Sequence, residues 1–143
     1  MILDQENLFS DKQPLLASAP STNIIDLGAT GVVLGNTQSL RRDISLGVKI
    51  PLLVQVTQAF AGATGLTIAL QSSDDPTFAT STTLISQQIP VAQLTAGARW
   101  ALNTFPYGTV GRYLRLNYTV AGTGTAGAVT AGVTAGNDET IPW

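Results

Sequence analysis

Along much of this chain, apolar and polar residues take turns. Leu66, Ile68 and Leu70 are interleaved with Thr67, Ala69 and Gln71, and Leu114, Leu116, Tyr118 and Val120 with Arg115, Asn117 and Thr119. Val129, Ala131, Val133 and Ala135 alternate in the same way with Thr130, Gly132 and Thr134. A period of two places each set on one face of a pleated strand, so these segments predict strands with one buried side. Asn23–Leu27, Leu46–Val48, Leu52–Phe60, Thr83–Ile89 and Ala98–Leu102 are further strand candidates. Helical spacing is absent over any useful length.

Turn chemistry separates these runs. Ala61-Gly62-Ala63-Thr64-Gly65 joins two of them and Ala121-Gly122-Thr123-Gly124-Thr125-Ala126-Gly127 joins two more. Both read as hairpin loops in which glycine supplies positive φ angles. Pro51 and Pro90 stand at run edges, where a ladder N–H can be spared. About eight short strands at this spacing predict an all-β, single-domain sandwich of jelly-roll type. Residues 1–22 read differently, as an extended N-terminal arm ahead of a domain at 23–143. Acidic and polar residues dominate the arm, and Pro14 and Pro20 interrupt it. Leu3, Leu8, Phe9, Leu15 and Leu16 are nevertheless scattered through it, and a purely solvated linker has little use for them. They pack either on the chain's own domain or on a partner.

Composition narrows the function. Of 143 residues, 44% are hydrophobic and only 11% charged, against roughly 25% charged in an ordinary soluble domain. A skin so weakly charged repels neighbours poorly and suits a protein packed against others. Seven Lys and Arg and a net charge of −2 argue against nucleic acid, since each neutralised phosphate needs a cation. The Arg41-Arg42 pair is followed at once by Asp43. No apolar run approaches the ~20 residues of a membrane span. The first residues lack the cationic and apolar regions of a signal peptide, so a cytoplasm-like site of synthesis is expected.

Candidate chemistry is sparse. The sequence has no Cys and no His, which excludes disulfides, thiolate metal sites and every Ser-His or Cys-His pair. Asp74-Asp75 is the densest acidic spot, but it lacks the spaced carboxylates of a calcium loop. Adjacent residues of a strand also point apart, which suits no glycosidase pair. With Ser72, Ser73 and Pro76 around it, the pair reads as a turn. Gly28-Ala29-Thr30-Gly31 with Gly35 lacks the Gly-Lys-Ser/Thr of a phosphate loop and reads as a plain loop. Ser10 and Lys12 lie in the expected arm, where no walled pocket would activate a nucleophile. No catalytic residue, metal or cofactor is therefore expected. Trp100, Tyr107, Tyr113 and Tyr118 offer a sugar-stacking platform, although Tyr118 falls in step with core leucines. Trp143 is costly to leave bare and anchors on its own sheet or in a neighbour's pocket.

Several stretches form a familiar series. Asp4-Gln5-Glu6-Asn7-Leu8-Phe9-Ser10-Asp11 leads to Ser21-Thr22-Asn23-Ile24-Ile25-Asp26-Leu27-Gly28. Leu52-Leu53-Val54-Gln55-Val56-Thr57 follows, then Ala69-Leu70-Gln71-Ser72-Ser73-Asp74-Asp75 with Phe78. Arg112-Tyr113-Leu114-Arg115-Leu116-Asn117-Tyr118 then precedes Gly127-Ala128-Val129-Thr130-Ala131-Gly132. In this order they resemble the capsid cement (decoration) proteins of short-tailed phages such as those of Bordetella, over nearly the whole chain. Only Val32–Leu46 matches nothing in the series.

The resemblance implies a jelly roll, no enzymatic activity, and copies on the outer capsid surface of a virion assembled in a bacterial cytoplasm. The implied partners are the major capsid protein and the chain itself, as a homodimer with a trimer as the other option, and neither nucleic acid nor membrane. Leu8, Phe9, Leu15, Leu16 and Trp143 are the expected partner contacts, and deleting residues 1–16 is expected to leave the domain folded. The rival reading is a carbohydrate- or receptor-binding β module with Trp100 or Tyr113 exposed in a groove.

Overall fold

A computed structural model describes residues 3–47, 49–100 and 104–134. Six strands follow in chain order: β1 (Leu3–Pro14), β2 (Ala19–Pro20), β3 (Ile25–Asp26), β4 (Leu52–Ser73), β5 (Thr82–Pro90) and β6 (Tyr113–Thr134). A single 3₁₀ turn, Val91–Gln93, is the one helical element among the described residues. All strands are antiparallel in one sheet of order β1-β6-β4-β5, with β2 and β3 also paired to β6. The chain is an all-β single domain.

Two 22-residue strands, β4 and β6, run side by side at its centre from Leu52↔Val133 to Ser73↔Tyr113. Each doubles back on itself. Leu114 and Val133 would lie about 60 Å apart on a straight strand, yet they line one cavity of about 170 Å³. Val54 and Ile68 of β4 likewise share a cavity. One sheet therefore folds into two facing halves and gives the sandwich-like body.

The glycine-rich segments make that fold possible. Ala61–Gly65 and Ala121–Gly127 lie within β4 and β6 and pair with each other across the bend, as Ala61↔Ala126, Ala63↔Gly122 and Gly65↔Ala121. They are not the hairpin loops that the sequence predicts. Register shifts crowd between Val56 and Gly65, and such bulges add bend and twist to a strand. Close approach excludes larger side chains there. A Cβ on Gly127, whose φ is 142°, would stand 2.5 Å from the Phe60 ring, and one on Gly62 (φ 79°) 2.5 Å from the Thr123 carbonyl.

The remaining strands follow the central pair around this corner. β1 lies along the C-terminal half of β6, and β2 and β3 along its N-terminal half. β5 lines the C-terminal half of β4, and residues 94–100, with Thr104 and Phe105, line its N-terminal half and the residues just before it. There the Val56 and Trp100 amides donate to the Ala98 and Val54 carbonyls at 2.8 and 2.9 Å. The candidate Ala98–Leu102 thus contributes Arg99, which bridges Gln55, while residues 101–103 lie outside the described set. Leu46 falls in a turn rather than a strand, and Val48 is not described.

Residues 3–14 do not extend as an arm, because they are β1. Phe9 and Leu15 are fully buried in the main core beside Leu66, Leu116 and Tyr118. A buried polar cluster stitches the strand in place. Ser10 Oγ donates to Gln13 Oε1 at 2.7 Å and lies 2.9 Å from the Tyr118 hydroxyl, and Gln13 Nε2 donates to the Pro20 carbonyl. Burial holds the Tyr118 pKa well above its ordinary value, so this hydroxyl stays protonated in its network. The core takes Phe9 and Leu15, at about 1.5–3 kcal/mol of burial each, and so draws this segment into the sheet.

Deleting residues 1–16 is therefore expected to unfold the domain, whose total stability is of order 5–15 kcal/mol. Loss of the cooperative thermal transition, followed by circular dichroism, is the readout. Gly127→Val should cost about 1–3 kcal/mol or more through overpacking against Phe60, measured as a lowered denaturation midpoint with an unchanged slope.

Candidate partner-binding surface

The residues expected to touch a partner fall apart in the structure. Phe9 and Leu15 belong to the core and offer no surface, Leu8 is half-buried, and Leu16 is exposed. Trp143 lies outside the described residues. Leu16 stands at the corner, where its backbone would meet a Cβ on Gly124 at 2.9 Å. One isolated exposed leucine is ordinary on a protein surface.

Exposed apolar side chains gather at the opposite, open end, on the long connection from β3 to β4. Val32, Val33, Leu34, Leu40 and Leu46 all stand in solvent there, and Leu34 is fully exposed. The connection doubles back as a finger. Val32 bridges Ser39, the Leu40 amide donates to the Gly31 carbonyl at 2.8 Å, and the Asn36 amide to the Val33 carbonyl at 2.9 Å. Gly35, with φ at 81°, supplies the left-handed residue that this tip turn needs. Tyr107 and Val110 are exposed on the neighbouring loop before β6.

Two carboxylates pin the finger's base to that neighbouring loop. At the end of β3, Asp26 accepts two hydrogen bonds from Arg112, Nε to Oδ1 at 2.7 Å and Nη2 to Oδ2 at 2.8 Å. Asp26 also accepts the Gly28 amide at 2.8 Å. The Arg112 hydrogen bonds, then the Gly28 amide, lower the Asp26 pKa from 3.8 to about 2. At the far side of the finger, Asp43 accepts the Ser45 hydroxyl and amide and, at 3.0 Å, the Gly108 amide. The Ser45 hydroxyl is the main cause of its lowered pKa. A bidentate Arg–carboxylate pair fixes orientation better than a single contact, so the apolar tip is presented on a held base.

The other candidates resolve into structure. Asp75 spends its carboxylate on a turn, accepting the Thr77 amide and hydroxyl at 2.9 and 2.8 Å and the Ala79 amide at 3.1 Å. Asp74 accepts the Arg112 amide at 3.1 Å. Phe78, at φ 54°, lies under the Arg115 guanidinium, 4.2 Å from the ring centre. Gly28–Gly31 forms one side of the finger's base. Trp100 is buried, and its indole N–H donates to the Gln87 side chain, so it presents no open face to a sugar. Tyr113 is half-buried beside the Arg112 guanidinium, which stands 5.0 Å from its ring centre. Tyr118 is in the core, and Tyr107 is the exposed member of the four.

The finger is the surface that sequence reasoning left unassigned. Its signal was present: Val32-Val33-Leu34 between Gly31 and Gly35, a run too short and too glycine-bounded for a core strand. Because Asp26 is ionised more readily in the folded state, its pin contributes fully above pH 3.8 and is lost as pH falls through about 2. A carboxyl-carbon NMR titration should place its midpoint near that value, and Arg112→Ala should move the midpoint up toward 3.8.

No curated protein matches this sequence. A family model does, over residues 9–133, which takes in β2 to β5 whole, the second half of β1 and all of β6 but its last residue. Its name is of the Bordetella-phage kind and suggests a phage protein. On that match, the chain belongs to the Bbp16 family.

Proposed function

We propose that this chain is a non-enzymatic structural protein of a phage virion, one that binds the outside of the capsid and cements neighbouring capsomers against internal pressure. The observation that carries the reading is the held apolar finger at the open end of the sandwich. Contiguous exposed apolar side chains on a soluble body mark sites of protein contact. Loops on a rigid scaffold are where such contacts are usually placed. Membership of a phage-type family and the resemblance to cement proteins supply the partner: the major capsid protein, across a boundary between its subunits.

The energetics suit a clip. DNA packed inside a capsid pushes its subunits apart, and a clip across their boundary resists by holding both sides. Each contact can be modest because the shell repeats it many times. A stable, specific contact buries roughly 1,200–2,000 Å² in total, which requires surface around the finger as well as its tip. With few charges to desolvate, a Thr-, Gln- and Ala-rich surface can be covered at low cost.

Co-sedimentation with expanded capsids of the cognate phage is the direct test. The wild-type chain should pellet with capsids, whereas the doubly substituted Val33→Ser, Leu34→Ser protein should fold normally and bind about a hundredfold more weakly, from loss of roughly 3 kcal/mol of apolar burial. Unchanged binding by that variant would move the contact away from the finger. Failure of the wild-type chain to pellet would reject the cement reading itself.

A further inference from the structure

We infer that the cavity between β5 and residues 93–100 is a binding site for a small neutral molecule, one apolar ring or short branched chain bearing a hydroxyl or carbonyl. The two long sides of the folded sheet are finished in different ways. On one side the halves are sewn together. The Asn23 amide donates to the Phe9 carbonyl at 2.9 Å, the Asn23 side chain to the Leu8 carbonyl at 3.1 Å, and the Thr22 amide to Gln13 Oε1 at 3.0 Å. On the other side the corresponding cross-bond among the described residues is Trp100 to Gln87. A cavity of about 140 Å³ remains there, lined by both of these residues.

The pattern along β5 sets the chemistry of this cavity. Ile85, Gln87 and Ile89 pair with Leu70, Ile68 and Leu66 of β4, all three buried. Strand alternation therefore puts Ile85, Gln87 and Ile89 in one inward-facing row, and Gln87 interrupts it with a carboxamide. That side chain gives its Oε1 to the Trp100 indole N–H, which leaves the Nε2 donors for another partner. Gln93, exposed like Gln87, lines the same cavity. The rest of the wall is apolar: Val54, Val56 and Ile68 of β4, with Ile89, Leu94 and the Trp100 ring.

Size and charge select the ligand. An apolar cavity of about 150 Å³ admits a benzene ring, so this one takes a single ring and no more. Arg99 belongs to the same wall but falls between Ala98, which packs on the core, and buried Trp100. Alternation thus turns its exposed side chain away, and no charged residue occurs between Asp75 and Arg99. An ionised ligand would lose hydration there without a counter-charge. A neutral one seats its apolar part against the valines, leucine and isoleucines and leaves its hydroxyl or carbonyl with the carboxamides. A few polar groups over an apolar pocket is the usual plan of a small-molecule site. Occupied, the site ties β5 to residues 93–100, as Asn23 and Thr22 tie the opposite side. This inference stands apart from the function proposed above and is tested without capsids.

The probe is p-cresol, compared with toluene, which lacks the hydroxyl, and p-toluate, which carries a charge. Titrated into the full-length protein, p-cresol should bind saturably with a Kd on the order of a millimolar or below. NMR shifts should concentrate in the methyl groups of Val54, Val56, Ile68, Ile89 and Leu94 and in the Trp100 and Gln87 side-chain N–H groups. Toluene should bind no more tightly, and p-toluate about tenfold more weakly or worse. Ala98→Leu enlarges a side chain on the cavity wall; it should keep the circular dichroism spectrum and weaken p-cresol about tenfold or more. Should that variant fold poorly, the wild type gives the same reading by hydrogen exchange. At p-cresol about nine times its Kd, the β5 amides should exchange about tenfold more slowly. No saturable binding, shifts gathered elsewhere, toluene or p-toluate binding more tightly than p-cresol, or a folded Ala98→Leu protein that binds unchanged would each overturn the proposal.

Discussion

Close approach of Phe60 to the bare backbone of Gly127 is the contact on which the architecture turns. Strands of this length do not ordinarily fold back, because an intact ladder resists sharp bending. Here four consecutive register shifts in the β4–β6 ladder loosen it between Val56 and Gly65. Glycines on both strands then remove the side chains that would collide. The ring of Phe60 fills the inside of the bend, so the corner is packed and not merely flexible. Everything else follows: two faces brought together, a core of leucine, isoleucine and valine between them, and two ends with different chemistry.

That asymmetry organises the surface. At the corner, small residues and tight backbone leave little room for a partner's side chains. At the open end, strand termini release long connections, and there the chain affords an exposed apolar tip. The tip is not left to wander, since two carboxylates and an arginine hold its base. Few acids are present, and at least three of them, Asp26, Asp43 and Asp75, have lowered pKa values because they accept hydrogen bonds from nearby amides, hydroxyls or a guanidinium. Their chemistry is spent on loop geometry. A carboxylate so saturated is a poor base and a poor metal ligand, because its lone pairs are already committed.

Weak charge has a second consequence. A surface of threonine, serine, glutamine and alanine lets neighbours approach closely and be desolvated cheaply. The finger and the cavity beside β5 are the two places where this matters most, one offering exposed apolar side chains and the other a neutral, apolar interior. They sit on different parts of the body, so occupancy of one need not exclude contacts at the other.

Much of this was legible from residue order. The alternation at Leu66–Gln71, Leu114–Val120 and Val129–Thr134 by itself determined strands, their buried faces and an all-β domain, because a period of two is a local property. The same local view took Ala61–Gly65 and Ala121–Gly127 for hairpin loops, since glycine permits both a reversal and a bulged bend. Only the tertiary structure decided between them, through pairing partners about sixty residues away in sequence. It also decided that Phe9 and Leu15 face inward while Val33 and Leu34 face out. Apolar character is written in the sequence, but which apolar residues are covered depends on what the folded chain brings against them.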